Sequence, residues 1–344
     1  MASKKEIRKL SFEQLKTELL QMGEPKFRAK QVYEWLWKRG AASFADMTNL
    51  SKELRKKLEE EFEIYPITID TLQKSKDGTI KCRFRLHDGY FVEGVLIPAE
   101  DRMTACVSSQ VGCNLGCKFC ATGYMKTKRN LENYEIYDQV FLLNKLAEEN
   151  YEKHLSNIVY MGMGEPLLNY KNVLASTEMI SSEDGLGMSP RRITVSTAGI
   201  AKMIKKLADD NVKFNLALSL HAADDKKRSE LMPINESNSL DDLVEALNYF
   251  YDRTKNKITF EYILFDGINE SETDAKNLVR LCRKTNAKVN IIEYNPIREA
   301  DYHKSKEIQR EKFIAYLEEH EIVAKVRRSR GKDIDAACGQ LANK

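Results

Sequence analysis

The chain has 344 residues, of which 42% are hydrophobic and 31% charged, with a net charge of +3. This reads as a soluble, globular protein long enough for a large core in one or two folded units, and no apolar run approaches the roughly 20 residues of a membrane span. No apolar stretch follows Met1–Lys5, so no secretory leader is expected and the setting reads as a reducing cytoplasm, where cysteines serve as metal ligands or redox catalysts rather than structural cross-links.

Residues 6–22 carry Ile7, Leu10, Leu15 and Leu19 at helical spacing, and Gly23-Glu24-Pro25 breaks the pattern. Residues 26–39 predict a second helix with Phe27, Val32, Trp35 and Leu36, and Ser51 to Phe62 a third, N-capped by Ser51 with Leu54 and Leu58 inward. Residues 1–60 hold 14 Lys and Arg against 9 Asp and Glu. Further basic runs are Lys126, Lys128 and Arg129, and Lys325, Arg327, Arg328, Arg330 and Lys332. Such clusters suit a phosphate-rich partner or an ordinary solvated surface. Residues 64–97 change character: 79–86 alternate, His87-Asp88-Gly89 turns, and 90–97 are apolar and β-rich, which predicts a hairpin or small antiparallel sheet.

From about residue 103 the rhythm is strand, loop, helix. Strands are expected at 103–108, 157–161, 191–196, 213–220, 257–264 and 288–294, with helices at 133–149, 171–182, 199–210, 240–254 and 272–285 between them. A last helix, 306–320, precedes a strand-like 322–326. Repeated βα units imply a parallel sheet with right-handed crossovers. The expected fold class is α/β, an incomplete (βα)6 TIM-like barrel, although an open doubly wound sheet fits the same pattern. The expected domains are a basic helical module over 1–62, a β-rich connecting segment over 63–100, and the barrel with a C-terminal tail over 101–344. Functional residues are expected at the C-terminal ends of the strands.

Of seven cysteines, Cys113, Cys117 and Cys120 form a C-x3-C-x2-C loop directly after the first of these strands. Three thiolates can hold three irons of a [4Fe–4S] cubane and leave the fourth iron open, where S-adenosylmethionine (SAM) chelates through its amino and carboxylate groups. A zinc site with a distant fourth ligand, or three unrelated cysteines, would share this spacing. Phe119 before the last cysteine, the position at a first βα loop, and Met161-Gly162-Met163-Gly164-Glu165-Pro166 after the next strand favour a radical SAM enzyme. The glycines there let backbone approach a ligand, and Glu165 can accept hydrogen bonds from SAM's ammonium group. Ser196, Ser219-Leu220-His221 and Asn295 also end strands. Each alone is an ordinary cap or turn residue, but together with Gly164 and Glu165 they outline one pocket for SAM.

Several segments together are similar to one family. They are 106–113, 117–123, 129–131, 161–169, 231–235, 294–296 and Asp333-Ile334-Asp335-Ala336-Ala337-Cys338-Gly339-Gln340-Leu341. The chain resembles the RlmN family of radical SAM RNA methyltransferases, across nearly its whole length. The segment Tyr124-Met125-Lys126-Thr127-Lys128 departs from the family pattern, where a Gly-Phe pair is expected. The resemblance implies methylation of C2 of an adenosine in 23S rRNA, and in some members of the adenosine 3′ of the tRNA anticodon. It also implies two SAM molecules and a reducing partner such as flavodoxin.

The resemblance further implies the roles of two more cysteines. Cys338 takes a methyl group from one SAM. A radical made from a second SAM abstracts hydrogen from that methyl, and the resulting carbon adds to C2. Cys106 then attacks the sulfur of Cys338, forming a disulfide and freeing the base. Glu93, thirteen residues before Cys106, matches the position of the base that removes the C2 proton. The alternatives at this stage are a C8-directed relative of the Cfr type and an RNA-binding protein with a purely structural cluster. Cys82 and Cys282 read as core residues.

Overall fold

The computed structural model describes residues 4–343. Lys5–Glu6 (β1) pairs in parallel with Phe62–Glu63 (β2), which brackets the helical module between its own ends. The first helix, Phe12–Gln21 (α1), begins later than the apolar spacing predicts. Ile7–Lys9 forms a single 3-10 turn, and Ser11 then caps α1 in a reciprocal pairing with Gln14. Phe27–Trp37 (α2) turns Val32, Leu36 and Trp37 inward, while Phe27 is 58% exposed. Lys52–Glu61 (α3) has the predicted Ser51 cap, with Leu54 and Leu58 fully buried.

Thr68–Lys74 (β3), Ile80–Arg85 (β4) and Phe91–Pro98 (β5) form an antiparallel run. Of the two forms expected for the β-rich segment, it is thus the small antiparallel sheet, with three strands. It continues through an antiparallel β5 pairing onto Met103–Cys106 (β6), the first barrel strand. Gln110–Val111 (β7) and Arg129–Asn130 (β8) then pair to close off the cysteine loop.

Asn133–Tyr151 (α4) leads to Asn157–Tyr160 (β9), and Tyr170–Ser181 (α5) to Ile193–Thr197 (β10). Ala201–Asp209 (α6) precedes Asn215–Ser219 (β11), which is followed by a short helix that sequence periodicity does not show, Asp225–Leu231 (α7). Leu240–Thr254 (α8), Ile258–Leu264 (β12), Glu272–Lys284 (α9), Ala287–Glu293 (β13), Glu307–Glu319 (α10) and Ala324–Arg327 (β14) complete the sequence of elements.

All the long strands belong to one ten-stranded sheet in the order β14-β13-β12-β11-β10-β9-β6-β5-β4-β3. From β6 to β14 every pairing is parallel and sequential, as consecutive βα units require. In a flat sheet, seven strands spaced by about 4.8 Å would put β6 and β14 about 29 Å apart. Instead Cys106 on β6 and Arg327 on β14 line one cavity, so the sheet curls into a partial barrel. This answers the open-sheet alternative.

The helical module is pinned to the barrel by a buried ion cluster. The Arg8 guanidinium donates to both oxygens of Asp138 on α4 (2.8 Å each), to Glu6 (3.1 Å) and to the Tyr65 carbonyl (2.9 Å), and lies over the Tyr134 ring. Beside it, the Tyr137 hydroxyl donates to the Trp37 carbonyl at 2.6 Å. Replacing Arg8 by Met would leave two buried carboxylates without their cation, at a cost of about 3 kcal/mol. Urea denaturation of Arg8→Met should show a clearly lowered midpoint, and a wild-type midpoint would remove this clamp from the account.

Candidate active site

The cysteine loop is shaped by its backbone. The Cys113 amide donates to the Met125 carbonyl (3.0 Å), closing the loop at its base. Gly112 there has a φ of +81°, and a Cβ would stand 2.5 Å from the Lys126 carbonyl oxygen, so no other residue fits. Cys117 and Cys120 follow on a tight turn in which the Cys120 amide donates to Cys117 (3.3 Å) and the Gly123 amide to Cys120 (2.9 Å). The loop is also tied outward, with Lys118 N donating to the Leu231 carbonyl at the end of α7 (3.0 Å).

All three thiols line one cleft of about 870 Å³ at the C-terminal ends of the strands. Gly164, Glu165, Ser196, Ser219 and His221 line the same cleft, as the strand-end pattern predicts. Gly164 has a φ of +94°, with a Cβ position only 2.5 Å from the Gln110 side chain. Gln110 in turn accepts the Glu165 amide at 2.8 Å. Glu165 is 3% exposed, and its carboxylate accepts the amides of Leu167 (3.0 Å) and Ala198 (2.7 Å). Burial raises its pKa against those hydrogen bonds, and each oxygen keeps lone-pair capacity for a ligand. Ser196 Oγ and Ser219 Oγ stand 3.5 Å apart across neighbouring strands.

His221 adopts a left-handed φ of +56°, and its Nδ1 accepts the Ile263 amide at 3.1 Å. Burial, with Arg228 nearby, pushes its pKa down to about 3. The ring is therefore neutral, with its proton on Nε2. Phe119 packs edge-on against it at 4.7 Å, which is the role of the aromatic residue before Cys120.

Leu220 and Asn295, expected to touch SAM, do not line the cleft. Leu220 lies just past the end of β11 and packs in the hydrophobic core. Asn295 is buried behind the C-terminal tail and donates to the Cys338 carbonyl at 3.3 Å. It holds the tail in place.

The tail from Gly331 to Asn343 crosses from the β-extension to the cysteine loop. Asp77 accepts the Gly331 amide (3.0 Å), Ala121 N donates to the Gly339 carbonyl (2.7 Å), and Thr122 Oγ1 donates to the Leu341 carbonyl (2.6 Å). This brings Cys338 into the cleft with the three thiols. A second cavity of about 710 Å³ adjoins the first, and Cys106 and Cys338 both line it with Arg327, Arg328 and Arg330. The two cysteines, 232 positions apart in sequence, therefore share a wall.

Burial pushes the Cys106 thiol up to about 12, with Cys338 adding to the rise and Arg327 opposing it. The same desolvation lifts Cys113 to about 11 and raises Cys117 and Cys120. Arg327 is read in sequence only as part of a basic run. Here its guanidinium stands 3.6 Å from Glu261 and lines both cavities beside Cys338.

Glu93, the candidate base, sits on β5. It is fully buried, 3.5 Å from the equally buried Lys81 ammonium, and its second oxygen accepts the Ala342 amide at 2.8 Å. It lies under the tail rather than on either cavity wall.

Among the described residues, no three Cys, His, Asp or Glu side chains converge as the ligands of one metal ion would. The three cysteines line one cleft. The residues present fit both groups: three thiols for iron, and a buried carboxylate, two hydroxyls and a neutral imidazole for SAM.

A curled βα sheet with three loop cysteines over a polar strand-end cleft defines a radical SAM enzyme. Residues 107–279 match the Radical SAM superfamily, and residues 5–64 match the ribosomal RNA large subunit methyltransferase N-terminal domain. The chain belongs to the RlmN family. It is 61% identical over 341 residues to a probable dual-specificity RNA methyltransferase RlmN of Cytophaga hutchinsonii, covering 99% of this chain and 93% of that one. A relative of the same name in Flavobacterium johnsoniae is 55% identical, covering 99% and 98%. The crystal structure of a radical SAM methyltransferase from Sphaerobacter thermophilus superposes with a TM-score of 0.94 at 39% identity, covering 99% of this chain and all of that one. As a radical SAM protein the chain uses a [4Fe–4S] cluster and SAM.

The tail's first anchor gives a pH-dependent prediction. Burial would raise the Asp77 pKa, but amide hydrogen bonds from Gly331 and Thr79 win and hold it at about 2. A depressed carboxylate contributes stability that is complete above its unfolded pKa of about 4 and is lost as pH falls towards 2. Amide hydrogen exchange of residues 331–343 should accelerate relative to the barrel strands across that acid window, and in Asp77→Asn at neutral pH. Equal protection in the variant and the wild type would exclude Asp77 as the anchor.

Proposed function

We propose that this protein methylates C2 of an adenosine in 23S rRNA, and the adenosine 3′ of the tRNA anticodon. The observation that carries the reading is the shared wall of Cys106 and Cys338, next to the cleft that holds the three loop cysteines. Cys113, Cys117 and Cys120 would hold the cluster, and Glu165, Gly164, Ser196, Ser219 and His221 would hold SAM. When bound, these groups supply an electron and a 5′-deoxyadenosyl radical. Adenine C2 is electrophilic and cannot displace a methyl from SAM directly, so the chain must carry the methyl itself.

Cys338 is the carrier. It lines both cavities, so its sulfur can take a methyl on the SAM side and present it on the side where the basic residues lie. Cys106 lines only the second cavity, where it can attack the Cys338 sulfur and release the product as a disulfide forms. Arg327 favours the thiolate of Cys106 that this attack needs. Glu93 accepts the C2 proton. Its Oε1 carries no hydrogen bond and is the oxygen left to take that proton, once the tail that covers it shifts to admit the base. Leu220 supports the core behind the SAM site, and Asn295 steadies the backbone of Cys338.

The basic module of residues 1–62 holds the RNA by phosphate contacts that set register, residues 63–100 extend the sheet beneath the tail, and 101–344 carry the chemistry. The base reaches the second cavity only from an unpaired loop or flipped out of its helix. A flavodoxin-like protein is the electron donor. The setting is cytoplasmic, and among the described residues no helix is long and apolar enough to cross a membrane.

Mass spectrometry of digested rRNA and tRNA should place the added methyl at C2, and a methyl at C8 would assign the Cfr-type activity instead. Cys106→Ala should accumulate a covalent protein–RNA adduct, and release of methylated RNA at the wild-type rate would refute the disulfide step. Cys338 also borders the three loop cysteines, where a structural cluster would recruit it as fourth ligand. Anaerobically reconstituted Cys338→Ala should keep four irons and still release 5′-deoxyadenosine while transferring no methyl. Loss of the cluster in that variant would favour the structural reading.

A further inference from the structure

Arg228 on α7 is the most buried cation of the barrel, with 0% exposure. Its guanidinium donates to the carbonyls of Ala198 (2.6 Å), Ser219 (3.2 Å) and Leu220 (3.2 Å), and to Asn235 Oδ1 (2.7 Å). Every acceptor is neutral, and among the described residues Arg228 makes no ion pair. The nearest carboxylate, Asp225, is held one step away: it accepts Asn235 Nδ2 (2.9 Å) and the Leu240 amide (2.9 Å). A buried cation without a counter-charge is expensive, and a folded protein keeps one only where something offsets that cost.

The offset lies at the C-terminal end of α7, one turn beyond Arg228. The helix ends on Leu231, whose carbonyl accepts the amide of Lys118 between Cys117 and Cys120. Leu231, Met232 and Ile234 pack with Leu115, Cys117, Phe119 and Cys120 in one cluster. Two of the residues whose carbonyls Arg228 gathers, Ala198 and Ser219, themselves line the cleft. An oxidised cubane with three thiolates carries one net negative charge and its reduced form two.

We infer that Arg228 is the buried counter-charge of the iron–sulfur cluster and raises its reduction potential. The inference rests on the cluster being held by Cys113, Cys117 and Cys120. Adding an electron places more negative charge beside a fixed cation in a medium of low dielectric constant, so the reduced state gains more than the oxidised one. Arg228 touches neither cleft nor substrate. It is a positioning residue acting through the cluster, and its binding of three strand-end carbonyls aligns the SAM site as well.

The test is an EPR-monitored redox titration of anaerobically reconstituted full-length protein without SAM. Arg228→Gln removes the charge, and Arg228→Lys keeps it. The double variant Asp225→Asn/Asn235→Asp preserves net charge and side-chain size while moving the carboxylate onto the guanidinium. Arg228→Gln and the double variant should show a more negative potential at four irons per chain, with Arg228→Lys near the wild type. A wild-type potential in the double variant overturns the inference, since a purely structural arginine would leave the potential unmoved. So does a double variant that folds but loads no iron, because a muted counter-charge shifts a potential without expelling the cluster. If Arg228→Gln does not fold, the double variant decides alone. If the wild type itself takes up no four-iron cluster, it is the assignment of the three cysteines that fails.

Discussion

The hydrogen bond from the Ala121 amide to the Gly339 carbonyl, at 2.7 Å, joins the cysteine loop to the far end of the chain. Thr122 Oγ1 on the Leu341 carbonyl repeats the join two residues on. These two bonds set the register of the tail, and the register places Cys338 between the cavities. A slip by one residue would turn that side chain away from one of them. The remaining anchors, Asp77 on Gly331, Glu93 on Ala342 and Asn295 on the Cys338 carbonyl, come from three separate parts of the fold. The β-extension is therefore one of the supports that hold Cys338.

Around this seam the protein buries an unusual set of charges: Glu93 with Lys81, Glu165, Arg228, and Glu261 beside Arg327. Each is met by backbone groups or by a partner, as low dielectric surroundings require. Glu165 is satisfied by two amides and Arg228 by three carbonyls, so both stay ordered without a direct ion pair. Their charge is available to whatever occupies the cleft. Glu261 Oε1 accepts Asn290 at 2.8 Å, which orients its other oxygen towards Arg327. The site is thus polar and largely pre-shaped.

The barrel was legible because buried parallel strands and amphipathic helices leave opposite periodicities, and the six expected strands all lie within a few residues of those found. The cysteine loop was legible because its spacing is local. What escaped were features set by tertiary contact. β3 lies at the sheet edge with half-exposed side chains, so its sequence does not alternate cleanly. The short α7 shows no apolar period because its key inward side chain is Arg228. Leu220 looked like a strand-end ligand, but it packs in the core while its neighbours Ser219 and His221 line the cleft. Arg327 looked like a surface charge because sequence shows charge without burial.

The division of the site into two cavities also bears on survival of the radical. A free thiol is an excellent hydrogen-atom donor, and one placed within reach of a primary carbon radical would quench it. Cys106 lines the second cavity and not the first. Cys106 is thus kept out of the cleft that Cys113, Cys117 and Cys120 line, where the radical of the proposed mechanism would form. Partition of one pocket into two is, in this protein, a means of containing side reactions.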